Sequence, residues 1–301
     1  MATYEEIDTT YGFMEEFWRL SAGAHADITG AFYDGDYTKT LEQAQADKHD
    51  YILSRVRFLP GQRVLDIGCG WGGFLQTVMR RGGTGVGLTL SEVQARVCRD
   101  AGVDARLLDW KEADTKSIGQ FDAVVSIGAM EAFCSVEEHL AGRQEEVYRH
   151  LFEFCHRALR PGGWMFLQTM LWDRKVPAPE DFNLKAPRGS DAYILAVLKQ
   201  FFPGSWPPSG LEQIARAAAR CFSVESTNNG RADYIRTMEE WSTRLKRVSF
   251  GKIVAVLRML PHFVTDRDFG LRLEALWHDY NKQAFQRGLM THERIVLKRL
   301  S

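Results

Sequence analysis

The sequence predicts an α/β fold, a parallel doubly wound sheet with a helical cap, on three observations. Short apolar runs alternate with helix-period segments between Arg63 and Thr169. A glycine-rich turn follows the first run. The alternation stops at Leu171, where a proline-bearing stretch and long aromatic-bearing helical segments begin. At 301 residues the chain suits one substantial domain, or a domain with an insertion.

Glu5 to Leu20 reads as a helix carrying Tyr11, Phe13, Phe17 and Trp18, and Ser21 to Thr38, rich in small residues and Asp, as a loop. Leu41 to Phe58 is helical and stops at Pro60-Gly61. Strands follow at Arg63–Ile67, Gly85–Leu88, Val103–Leu108, Phe121–Ile127 and Trp164–Thr169. The helices between them span Phe74–Arg81, Ser91–Ala101 with Ser91 as N-cap, and Arg143–Leu159. Beyond Leu171 the pattern predicts helices at Ala192–Phe202 and Leu211–Arg220 and a strand at Phe222–Thr227. Long helical stretches then cover Tyr234–Leu260 and Asp266–Gly288, before a last strand at Arg294–Leu300.

Bulk composition excludes several classes. A net charge of −1 gives no global attraction to nucleic acid or anionic membrane. No run approaches a membrane span, and the acidic start lacks a signal-peptide pattern, so a cytoplasmic protein is expected. Cys69, Cys98, Cys134, Cys155 and Cys221 are scattered without CxxC spacing and read as reduced thiols. His139, His150 and His156 lack ligand spacing, so no metal site is expected. Eight Trp and eighteen Phe can build a core or an apolar substrate cavity.

The chemistry-bearing motif is Val64-Leu-Asp-Ile-Gly-Cys-Gly-Trp-Gly-Gly73, placed between a strand and a helix. Gly68 and Gly70 allow close approach of a ligand to the backbone, and the helix start offers unpaired N–H groups. The spacing of Gly68, Gly70 and Gly73 formally fits a dinucleotide fingerprint. However, Asp66 stands two residues before the first glycine, and the second strand ends in Gly87-Leu-Thr-Leu90 rather than in a ribose-binding acid. Asp-x-Gly-x-Gly is the S-adenosylmethionine (SAM) version of the turn.

Asp66-Ile-Gly-Cys-Gly-Trp-Gly72, Gly87-Leu-Thr-Leu-Ser91 with Gln94, and Ser126-Ile-Gly-Ala-Met-Glu131 resemble the cyclopropane fatty-acid and mycolic-acid synthases. Thr40-Leu-Glu-Gln-Ala-Gln45, Phe202-Pro-Gly204, and Tyr234 followed by Trp241 extend the resemblance over nearly the whole chain. It implies a Rossmann-like class I methyltransferase fold with an antiparallel last strand. It also implies four regions within one compact domain. These are an N-terminal helical segment (1–60) covering the cofactor site, a SAM-binding core (61–170), a helical cap insertion (171–220), and the end of the sheet with further cap helices (221–301). By resemblance, SAM contacts fall on Thr29, Asp66, Gly68, Cys69, Gly70, Gly72, Thr89, Leu90, Gln94, Trp110 and Ile127.

The lipid synthases are similar to one another in a bicarbonate site built from Cys, Glu, His and Tyr. Here the Cys position falls at Gly30 or Ala31, the His after the Glu is Ala132, and the His of the fifth strand is Gln168. Glu131 and Tyr234 remain, and Glu131, Tyr234 and Gln168 are the catalytic candidates. Bicarbonate is thereby disfavoured as a second ligand.

The leading expectation is a C-methyltransferase acting on an unsaturated apolar or natural-product substrate, the carbocation being quenched by proton loss, with a small molecule or an acyl or isoprenoid chain as the expected partner. N- or O-methylation of a small aromatic or amine, lipid cyclopropanation, and an idle SAM-binding protein are the alternatives. For a prenyl diphosphate, Lys175, Lys185 and Arg188 are the candidate cations.

Overall fold

A computed structural model describes residues 21–23, 27–259 and 269–301; the helix expected over Glu5 to Leu20 lies outside them. Five parallel strands, β1 (Arg63–Ile67), β2 (Thr84–Thr89), β3 (Asp104–Leu107), β4 (Phe121–Ile127) and β5 (Leu159–Trp172), form one side of a single sheet. Antiparallel β6 (Phe222–Asn229) and β7 (Met290–Arg299) complete it, in the order β3-β2-β1-β4-β5-β7-β6.

Both faces of the parallel region are buried, which is why these strands read as unbroken apolar runs. Leu65, Ile67, Leu88 and Val124 face one core, with Tyr148, Leu151 and Phe152 of a helix at Gln144–Ala158. The alternate residues Val64, Ala123, Val125 and Phe166 face the other, with α1 (Leu41–Arg55) and α2 (Gly73–Arg80). The cap read from the sequence is present, and the structure adds a second. Ser91 accepts the Gln94 N–H at the start of α3 (Glu92–Asp100), and Thr40 and Gln43 form a capping box on α1. All five cysteines are free and buried.

A third core lies between the sheet edge and the cap. It joins Trp172, Tyr193, Phe201, Tyr234, Trp241 and Phe285. Here the structure departs from the expectations. The helix read over Tyr234–Leu260 is two helices, Arg231–Lys246 and Phe250–Met259, because Arg247 turns extended (φ −74°, ψ 124°). The described part of Asp266–Gly288 is likewise split into Phe269–Trp277 and Tyr280–Gln286, with Asp279 left-handed at φ 56°. Neither break carries Gly or Pro, so periodicity ran through both. β5 is much longer than Trp164–Thr169, and β7 starts at Met290 rather than Arg294.

Arg294 on β7 ties the loop before α1 to the sheet. Its side chain is 1% exposed and donates to Asp233 Oδ2 (2.9 Å), Asn228 Oδ1 (2.8 Å) and the Ala31 carbonyl (2.8 Å). Replacing it with Met leaves the Asp233 carboxylate buried without its partner. R294M is expected to lose about 3–5 kcal/mol in urea unfolding, with Asp233→Asn in the same chain recovering part. A loss below about 1 kcal/mol, the range of an exposed pair, would show the pair to be dispensable.

Candidate active site

β1 and β4 are neighbours whose crossovers run to opposite sides, and their carboxyl ends flank a topological switch point, where α/β sheets place ligands. The glycine turn leaves β1 there. Gly68, Gly70 and Gly72 all have positive φ (83°, 53° and 78°), and Gly72 is the N-cap of α2 with no side-chain cap. The crevice is an open cavity of about 1060 Å³. Thr29, Asp66, Gly68, Cys69, Gly70, Thr89, Leu90, Gln94, Trp110 and Ile127 all reach its wall. Gly72 does not: it sits behind the turn, where a Cβ would meet Cys98 Sγ at 2.9 Å.

The polar groups are held from behind. Thr89 Oγ1 donates to Gln94 Oε1 (2.8 Å) and accepts from Ser91 N–H (3.1 Å), so strand end and helix start orient each other. Trp110 is buried against Phe133 and Phe154. Asp66 is buried, and its Oδ1 has no hydrogen-bond partner among the described residues. Burial and the nearby Asp27 charge push its carboxyl up to about 7, partly offset by Lys48. Lys48, fully buried on α1, pairs with Asp27 Oδ2 and donates to Thr29 Oγ1 (2.6 Å), while His49 Nε2 lies 3.3 Å from the same Asp27 oxygen. Burial would raise the Asp27 carboxyl, but Lys48 and His49 win and hold it far below the carboxylate range. Sequence reading missed this cluster, since a buried ion pair leaves no local pattern.

Ile28, Thr29 and Gly128 also line a second cavity of about 790 Å³, so the two spaces share a wall. The second is apolar and roofed by the cap through Leu198, Phe201, Phe202 and Leu276. Glu131 enters it from a single 3₁₀ turn (Met130–Ala132) after β4. Its Oε1 accepts the Met170 N–H of β5 at 2.6 Å, and its Oε2 is buried without a partner among the described residues. Burial pushes this carboxyl up to about 7 against the Met170 N–H and the Thr169 hydroxyl, which favour the charged form. Tyr234 stands edge-on to Phe285 and Trp241, with centroids 4.9 and 6.0 Å away.

Gln168 is fully buried but stands behind the wall, its Nε2 donating to the Gly30 carbonyl at 3.0 Å. The residue sequence reading overlooked is His292. It lies opposite Met170 in the β5–β7 ladder, one same-face step from the Arg294–Gln168 pair, and lines the second cavity beside Tyr234 (centroids 4.9 Å). Lys175, Lys185 and Arg188 are exposed and off this wall; Lys175 pairs with Asp181 (2.9 Å) and Arg188 with Glu274 (3.7 Å).

This fold and its switch-point glycine turn are those of a Rossmann-like SAM-dependent methyltransferase. The family model described as mycolic acid cyclopropane synthetase matches residues 1–260, and the chain belongs to that family. It is 31% identical over 252 residues to the S-adenosylmethionine-dependent methyltransferase UmaA of Mycobacterium tuberculosis, covering 81% of this chain and 82% of that protein. It is 30% identical, over the same shares, to cyclopropane mycolic acid synthase 3 of that organism. The structure of mycolic acid cyclopropane synthase CmaA1 complexed with SAH and CTAB superposes with a TM-score of 0.77 at 24% identity, covering 99% of this chain and 98% of that one. The chain is thus an enzyme with SAM as its cofactor. Among the described residues no helix is long and apolar enough to cross a membrane, and no group of three or more His, Cys, Asp or Glu is placed to hold a metal.

Proposed function

We propose that this enzyme transfers the SAM methyl group to a carbon of an unsaturated, apolar substrate. The observation that carries the reading is the second cavity: it adjoins the cofactor cavity and is apolar, and Glu131 is its one carboxyl among the described lining residues. Among the described residues no Lys or Arg lines it, which argues against a diphosphate substrate. The cofactor, when bound, supplies an electrophilic methyl group. The residues of the first cavity suit it: the unpaired Asp66 oxygen for its ammonium, Thr89 and Gln94 for hydroxyls, and Leu90 and Trp110 as apolar flanks for its base.

In this reading an alkene carbon takes the methyl, and positive charge develops on the substrate. The Glu131 carboxylate and the rings of Tyr234 and Trp241 face that charge. Proton loss then completes the reaction. Loss from a substrate carbon yields a methylated alkene; loss from the incoming methyl closes a cyclopropane. The same walls serve both outcomes, and the named activity of the relatives makes an unsaturated acyl chain the first probe. Five buried, free thiols suit the cytoplasm.

The test is incubation of the protein with methyl-labelled SAM and either oleic acid or farnesol, with and without added bicarbonate. A carbon-bound methyl or methylene at a rate indifferent to bicarbonate is expected. Methyl found on nitrogen or oxygen of a small amine or phenol, with no carbon product, would overturn the reading.

Asp66 makes the cofactor step pH-dependent. Its carboxyl titrates at about 7, and a cationic ligand needs it ionised. Below that point SAM affinity is expected to rise roughly tenfold per pH unit, then level off on the alkaline side. D66N should abolish this slope and weaken binding roughly 10- to 100-fold. Calorimetry at several pH values checks both; a slope retained in D66N would assign it to another group.

A further inference from the structure

We infer that His292, through its Nε2, accepts the proton that leaves the methylated substrate. This deepens the carbon-methylation reading above and rests on it. Among the polar side chains lining the second cavity, the Thr29 hydroxyl is engaged by Asp27 (2.7 Å) and Lys48 (2.6 Å). Asn281 and Tyr234 carry no basic lone pair near neutrality. Glu131, whose Oε1 accepts the Met170 N–H and whose Oε2 has no partner among the described residues, is the rival acceptor, and the product ratio of E131Q set beside that of H292Q separates the two. His292 is the one imidazole among the described residues on that wall.

Gly30 makes its edge accessible. A Cβ on Gly30, itself a lining residue, would lie 3.1 Å from His292 Cε1, 3.2 Å from Nε2 and 3.2 Å from Tyr234 Cδ2. Any side chain there would press on the ring edge that carries Nε2. The other ring nitrogen is enclosed: Nδ1 is buried without a partner among the described residues, on the side of Gly230 and Arg294. The bare glycine of one loop and the imidazole of the last strand are therefore complementary. Burial, with the Arg294 and Lys48 charges, holds the imidazole well below its usual range, so it rests neutral, and the imidazolium formed by taking a proton from a carbocation gives that proton up readily.

The step balances. The alkene π pair forms the new C–C bond as the methyl–sulfur bond breaks, its electron pair staying on sulfur and leaving a substrate cation. A C–H bond then breaks. Its electron pair becomes the new C=C bond, or the ring-closing C–C bond if the incoming methyl loses the proton. The proton passes to His292 Nε2, and the imidazolium releases it to solvent as product leaves. Acceptance requires the tautomer with the proton on Nδ1.

Two variants test this, His292→Gln and Gly30→Ala, with oleic acid and farnesol as probes. H292Q is expected to bind SAM as wild type by calorimetry, to lose turnover by roughly 100-fold or more, and to divert product from alkene or cyclopropane toward the water-captured alcohol. G30A is expected to shift the product ratio in the same direction. In wild-type protein labelled with ¹⁵N-histidine and loaded with S-adenosylhomocysteine, one Nε2 resonance absent from H292Q should be of the unprotonated type near neutral pH. An unchanged product ratio in H292Q, joint loss of SAM binding and turnover in both variants, or a protonated Nε2 would overturn the assignment. Heteroatom methylation by wild type would sink the parent reading together with it, whereas carbon methylation with an unaffected H292Q sinks this assignment alone.

Discussion

Glu131→Gln is expected to lower turnover by about 10²- to 10³-fold while leaving SAM binding intact. The amide keeps an oxygen to accept the Met170 N–H and fills the same space, so the change removes charge rather than shape. In the wild type, burial has raised this carboxyl to about 7, so it is largely protonated on the acid side and ionised on the alkaline side. A developing substrate cation is stabilised by the ionised form. Wild-type turnover should therefore rise through neutrality and level off, and the Gln variant should lose that rise.

Stability moves the other way. The folded protein holds the Glu131 proton after the unfolded chain has released it. Its contribution is complete below the ordinary value of 4.5 and is lost as pH climbs to about 7. The ionised, buried group then costs on the order of 3 kcal/mol, a cost the Gln variant escapes. E131Q should thus be more stable than wild type, and less active, on the alkaline side of neutrality. Initial rates and urea unfolding on both sides of neutrality check the pair. Activity and stability falling together would mean that the carboxyl holds the turn rather than the cation.

The parts of this site that were legible in the sequence are those encoded locally. The glycine turn, Asp66, Thr89 and Gln94 sit within one strand–turn–helix unit and the next, and each is oriented by near neighbours. Glu131 follows directly from the end of β4. The parts that escaped notice depend on distant partners. Thr291, His292 and Arg294 are buried polar residues in the first half of β7, and the polarity of Thr291, His292 and Glu293 made the strand read as beginning only at Arg294. Only pairing with β5 and contact with Gly30 and Asp233 give them a place. Lys48 and Asp27 are similar: a buried lysine on a helix looks exposed until its carboxylate is known. Gln168 shows the converse. The resemblance put it in the catalytic site, yet it does not line the second cavity; its Nε2 donates to the Gly30 carbonyl, and its Oε1 is buried without a partner among the described residues.

Gly68→Ala is expected to destabilise the protein by about 2–5 kcal/mol and to weaken SAM binding at least roughly 100-fold. Two separate costs add. Gly68 has φ +83°, where an L side chain is strained, and its added Cβ would lie 2.3 Å from the Ala129 Cβ. The first cost is local. The second must be relieved by parting the ends of β1 and β4, since the Gly68 N–H is fixed to the Leu88 carbonyl at 2.9 Å. That movement displaces the glycine turn and, through Ala129, the turn that carries Glu131, so both cavities lose their geometry. The double variant with Ala129→Gly separates the two. Removing the opposing methyl abolishes the overlap but not the strain, so G68A/A129G should recover part of the lost stability and most of the cofactor affinity. Calorimetry and thermal unfolding of the four proteins measure the coupling. Strict additivity would mean that the ends of β1 and β4 do not constrain each other through this contact.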